Sequence, residues 1–168
     1  MVTLVEQYRR WFTYEKDSYR KVLASFETVP EGGRGSEPFQ KAMNTMGHIV
    51  AARRAWLHRF DSSVSGPASF FPTDMTQDKL LAELEFIETH WSDYLRRLDD
   101  EEIQRVVVYK SFDGDWFRSV VADVLTQLHG HSLYHRGQIA SLVRAAGGQP
   151  AETDFIFWSR ESISTPQS

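Results

Sequence analysis

The chain has 168 residues, 41% of them hydrophobic and 25% charged, with a formal net charge of −4. That length suits one domain with a sizeable core and is short for two, while the acidic balance argues against a nucleic-acid surface. Cysteine is absent, which excludes disulfides, thiolate ligands and a catalytic thiol from this chain, so any thiol chemistry would use a thiol brought by a substrate. No apolar run approaches a membrane span and no signal-peptide pattern opens the sequence, so no membrane partner and a cytoplasmic location are expected.

The spacing predicts a first helix over 3–27, with Leu4, Tyr8, Trp11, Tyr19, Val22 and Phe26 on one stripe. Glu15 falls on that stripe. Either a local tilt lets it reach water, or it is a buried acid/base group or a partner of a site. Residues 30–38 read as a loop. A second helix is predicted over 38–60, with Met43, Met46, Val50 and Leu57 on its apolar face and Ile49 and Trp56 widening it. A helix apolar on more than one side is enclosed on more than one side, by its own bundle or by a second subunit. His48 shares a column with Ala52 and Ala55, small residues that leave room beside an imidazole.

Residues 61–75 are Ser-, Gly- and Pro-rich and read as a loop. Thr76 is a plausible N-cap for a third helix running to about 98, with the stripe Leu80, Leu84, Ile87, Trp91, Tyr94 and Leu98. His90 lies off that stripe and reads as solvated, as does His58 at the end of the second helix. The acidic run 99–102 reads as a solvated connection. Val106 to Tyr109 is β-branched and aromatic, and Asp113-Gly114 signals a turn, so a short hairpin is expected over 104–117. Ser119 is a candidate cap for the last helix, which ends at Gly147-Gly148. The run 154–158 is expected to pack back on the body, and 160–168 to be disordered.

In the last helix Val120, Val124, Leu128, His131, His135, Ile139 and Leu142 recur at steps of three and four. This predicts a buried face carrying His131 and His135 one turn apart. Two buried imidazoles need partners. They are either core histidines bonded to separate acceptors, or a pair aimed at one divalent ion. There is no glycine-rich phosphate loop and no Ser-His-Asp motif. Four long helices with polar connections give an all-α four-helix bundle over 1–159 as a single domain.

His131-Ser-Leu-Tyr-His135-Arg-Gly-Gln-Ile139 resembles the last-helix signature of the DinB/YfiT-like superfamily. His48 on the second helix, the segment Tyr109 to Phe117 with Gly114, and Leu142 to Pro150 followed by Asp154-Phe-Ile extend the resemblance over most of the chain. It is loose over the first helix, where mainly Trp11 fits. The resemblance implies an up-down-down-up bundle, often a homodimer. It also implies a divalent metal held by His48, His131 and His135. Many members carry another histidine where this chain has Gln127, a departure that removes a polar group near the site rather than a ligand. His129 lies about 200° around the helix from His131 and is not expected to substitute.

Three neutral imidazoles with an open position are a catalytic arrangement, able to hold water or a substrate thiolate. Gln138 lies on the same side as the pair and is a candidate for orienting a ligand. Gly137 is read as a close helix contact. Arg136 either pairs with a carboxylate at the mouth or faces solvent. Zinc or nickel fits the ligand set best, with iron, cobalt and manganese as further candidates. Relatives that use bacillithiol or mycothiol imply an S-transferase acting on a small-molecule substrate with a low-molecular-weight thiol as cosubstrate. A metal-dependent hydrolase and a non-catalytic metal-binding stress-response protein are the alternatives.

Overall fold

The computed structural model describes residues 2–163. These residues are mainly helical, with one antiparallel hairpin. Four long helices, α1 (Leu4–Glu27), α3 (Glu37–Phe60), α4 (Gln77–Arg97) and α6 (Val121–Ala145), carry the core. Three short helices, α2 (Glu31–Arg34), α5 (Asp100–Gln104) and α7 (Phe155–Ser159), lie in the connections and the tail. Strands β1 (Val106–Lys110) and β2 (Trp116–Val120) pair with Val106 opposite Val120 and Lys110 opposite Trp116.

Local chemistry sets the helix ends. Thr3 and Glu6 form a reciprocal capping box at α1, Thr3 N donating to Glu6 at 2.7 Å and Glu6 N to the Thr3 hydroxyl at 3.2 Å. Ser36 caps α3 and Thr76 caps α4, the latter as the sequence predicts. α6 departs from expectation. Ser119 does not cap it; β2 runs straight into the helix, with Val120 at the N-cap and no side-chain cap bond. Instead the Val121 N–H donates to the Arg105 carbonyl at 3.0 Å. At the other end Gly147 takes a φ of +86°, a left-handed turn that L-residues adopt only with strain.

Two connections hold more structure than their composition suggests. The 30–38 loop contains the single turn α2. The acidic run 99–102 is largely α5, capped by Asp99, and Glu102 is tied to Arg105 and Tyr94 at 2.7 Å each rather than left to solvent. The tail packs back as expected, with the Phe155 ring 5.0 Å and the Trp158 ring 5.6 Å from that of Tyr14. Of the tail expected to be disordered, 164–168 lies outside the described residues.

The long helices touch as α1–α6, α6–α3, α3–α4 and α4–α1, closing a ring. Their directions follow from side-chain contacts. Tyr8 meets Ala122, Glu15 meets Ser132 and Thr28 meets Gln149, so α1 and α6 run parallel. Arg54 meets Glu83 and Phe60 meets Tyr94, so α3 and α4 run parallel too. Arg9 meets the Leu95 carbonyl and Arg20 meets Glu88, which sets α1 against α4.

α3 is buried almost all round, from Ala42 through Leu57. Ile49 is fully enclosed, and Trp56 packs on Tyr109 of the hairpin with ring centroids 4.8 Å apart. The extra apolar side of this helix is therefore covered by its own chain, by the hairpin and by the 61–76 connection, and does not itself call for a second subunit.

Candidate metal centre

The site lies where α3 and α6 pack against each other. α3 presents His48, with Ala52 and Ala55 buried further along the same helix. α6 presents His131 and His135 one turn apart. The three imidazoles each offer one nitrogen, and those nitrogens lie within 4.8 Å of one another. His48 Nε2 stands 3.0 Å from His131 Nε2. Two nitrogens bound to one ion at about 2.0–2.1 Å would stand at a comparable separation.

Outer partners fix two of the rings. The Phe70 carbonyl lies 2.8 Å from His48 Nδ1 and can only accept, so Nδ1 carries the proton and Nε2 is left as a lone pair toward the cluster. Gln138 Oε1 accepts from His135 Nδ1 at 2.7 Å and selects the same tautomer there. Gln138 therefore contacts a ring rather than an open ligand position. His131 Nδ1 is buried with no hydrogen-bond partner among the described residues. Burial, aided by the neighbouring His135 and His48, pushes the His131 pKa down to about 4. Burial also lowers that of His48, opposed by the Phe70 bond. Lowered imidazole pKa values keep lone pairs available at neutral pH, which is what a cation requires.

The residues fit a divalent ion on these grounds: neutral nitrogens converge, and two of three rings are held from behind. No charged side chain hydrogen-bonds to any of the three imidazoles among the described residues.

A connection that composition marks only as a loop supplies the rest of the surroundings. Phe71 stacks on His48, centroids 4.8 Å apart and planes 10° apart, and Phe70 meets the same ring edge-on at 4.9 Å. Gly47 makes this approach possible, because a Cβ there would stand 2.9 Å from the Pro72 ring and 2.5 Å from the Met75 methyl group.

The α6 histidines sit at the rim of the buried face, not on it. The core face runs through Leu128, Ser132, Arg136, Ile139 and Val143, leaving His131 and His135 half-buried. Glu15 does not tilt to water. It is fully buried, ion-paired with Arg53, and accepts hydrogen bonds from Tyr19 at 2.7 Å, Ser132 at 3.2 Å and His129 at 3.1 Å. Burial raises the Glu15 pKa, but Arg53, His129, Arg136 and Tyr19 outweigh it and hold the carboxylate below its ordinary value. His129, stacked on Trp11 at 4.3 Å, belongs to this network and not to the metal cluster.

Arg136 matches neither expectation. It is buried against Tyr14, donating to that hydroxyl at 2.6 Å and to Thr153 at 3.3 Å, where it holds the tail. A Cβ on Gly137 would meet nothing within 4 Å, so that glycine is not a close helix contact. Gln127 is exposed on α6. His58 is exposed and bonded to the Val64 carbonyl at 2.7 Å, and His90 is half-buried on Phe86. Sequence reasoning missed Arg53, Phe70 and Phe71. The signal for Arg53 was a basic residue amid the apolar run of α3, and the Phe70-Phe71 pair was a signal within an otherwise polar loop.

The DinB family model matches residues 1–165. The chain belongs to the DinB family. No curated protein and no solved structure matches it. Membership agrees with a possible metal-binding cluster of three histidines in this DinB protein. None of its described helices is long and apolar enough to cross a membrane.

Proposed function

We propose that this DinB protein is a divalent-metal-dependent enzyme that transfers a low-molecular-weight thiol to a small electrophilic substrate. The observation that carries the reading is the convergence of His48, His131 and His135 on one point with two rings oriented from behind. A divalent ion in such a site supplies Lewis acidity, which favours the ionised form of a thiol or water at neutral pH. The ligand set suits zinc or nickel first, then iron, cobalt and manganese.

The chain's own residues have defined tasks in this reading. His48, His131 and His135 hold the ion and leave part of its shell to solvent or ligand. The Phe70 carbonyl and Gln138 keep His48 and His135 in the tautomer whose Nε2 faces inward. Phe70 and Phe71 exclude water from one flank of the His48 ring. Arg136, Gln127 and Glu15 make no hydrogen bond to the three rings and take no chemical step. With no cysteine in the chain, the sulfur nucleophile comes from the cosubstrate.

Two further elements belong to the proposal. The ring of contacts and the helix directions support an up-down-down-up four-helix bundle, decorated by the hairpin and the short helices. A homodimer follows from the family resemblance, the cytoplasmic location expected from the sequence is kept, and exposed Val106, Val108 and Trp116 on the outer face of the hairpin offer apolar side chains to a second copy.

The test is conjugation of a model electrophile with bacillithiol, mycothiol or glutathione, using zinc- or nickel-loaded and chelated protein. Metal-dependent conjugation is expected. Metal-dependent ester or amide cleavage without thiol, and no conjugation, would replace the transferase by a hydrolase. Bound metal with neither activity would leave a non-catalytic metal-binding protein.

A further inference from the structure

The three imidazoles are half-buried, and exposed aromatic side chains contact two of them. Phe71 lies parallel to the His48 ring and is 67% exposed, and Tyr134 meets the His135 ring edge-on at 5.0 Å and is 66% exposed. Phe112, from the hairpin turn, packs on Phe70 at 4.4 Å and is 64% exposed. Three elements thus bring large, mostly exposed rings onto the imidazoles or onto the Phe70 ring beside them. Exposed aromatic side chains cost solvation without a partner, and a contiguous set beside a polar centre is the usual make-up of a ligand site. Phe71 and Tyr134 contact other rings, and among the described residues no carboxylate or ammonium group hydrogen-bonds to the three imidazoles. The Arg59 guanidinium, packed on Trp56 and Tyr109, lies 5.6 Å from the Phe112 ring.

We propose that Phe71 and Tyr134, with Phe112 behind them, form a specificity rim that seats a flat aromatic body on the molecule whose polar head reaches the three histidines. This rests on the metal centre proposed above. Stacking on a ring that is already held parallel to His48 needs no rearrangement, and offset or edge-on contacts with Tyr134 close the other side. Small polar substrates gain nothing from these rings and are disfavoured relative to arenes carrying the same head group.

The experiment compares imidazole with 4-phenylimidazole on the zinc-loaded protein by calorimetry, so that no thiol or turnover is involved. In the wild type 4-phenylimidazole is expected to bind about tenfold more tightly than imidazole, and in the double variant Phe71→Ala/Tyr134→Ala within about threefold, the ratio being taken on the same zinc-loaded protein so that any change in zinc content or imidazole affinity cancels. An equal advantage in wild type and double variant would overturn the rim and leave the metal centre standing. Failure of imidazole itself to bind zinc-loaded protein would overturn the open centre and the rim with it.

Discussion

At the scale of single residues, the buried charges carry the largest expected effects. Arg53 and Glu15 are both enclosed, and together they tie α1 to α3, while Ser132 adds α6. Removing one partner leaves the other charge uncompensated in a low-dielectric interior. Arg53→Ala is therefore expected to cost about 3–5 kcal/mol, read from the urea midpoint of the metal-free protein. A loss below about 1 kcal/mol would show that solvent reaches this pair. His131 adds a pH dependence of known sign. Its folded pKa is lowered to about 4 from the 6.5 of a free imidazole, so between those values the unfolded chain binds more protons than the folded one. Stability of the metal-free protein should accordingly fall as pH drops from 6.5 toward 4. His131→Gln should lose less over that range; an equal loss would place the titrating group elsewhere.

At the scale of elements, the connection between α3 and α4 matters more than its composition suggests. It is pinned by Asn44, which accepts from Met75 N at 3.0 Å and donates to the Thr73 carbonyl at 3.1 Å, and by the approach to Gly47. From there it delivers the Phe70 carbonyl to His48. Gly47→Ala should push Pro72 away and weaken that bond, reducing zinc affinity about tenfold while leaving the helical spectrum intact. Unchanged affinity would mean that the loop holds His48 by other contacts. α6 explains what sequence patterning reads well and badly. The step between its histidines is legible because a helix fixes it. The choice of core face is not. Ser132 and Arg136 look polar and the neighbouring column looks apolar, yet Ser132 and Arg136 face inward because Glu15, Tyr14 and Thr153 supply their partners. Those partners come from α1 and the tail, and no local pattern records them. The same holds for Glu15, whose place on the α1 stripe is plain but whose burial depends on Arg53, 38 residues away.

At the scale of the whole molecule, the sequence reveals the four long helices, the hairpin and the three histidines, because long stripes and a repeated motif survive without tertiary information. The short helices α2 and α5 are missed because single turns are set by caps and side-chain bonds rather than by periodicity. Whether two such chains associate is read by light scattering. The proposed homodimer should show twice the 19.4 kDa chain mass at micromolar concentration. A monomer mass at every concentration would remove that part and leave the centre unaffected. The claim on which the functional account depends is that α3 and α6 together hold one ion. Its most direct test is zinc and nickel content and affinity, by elemental analysis and calorimetry, for wild type and His48→Ala. The account predicts about one ion per wild-type chain and at least about a tenfold loss of affinity in the variant, with unchanged helical circular dichroism. A His48→Ala protein that binds the ion as tightly as wild type would contradict it.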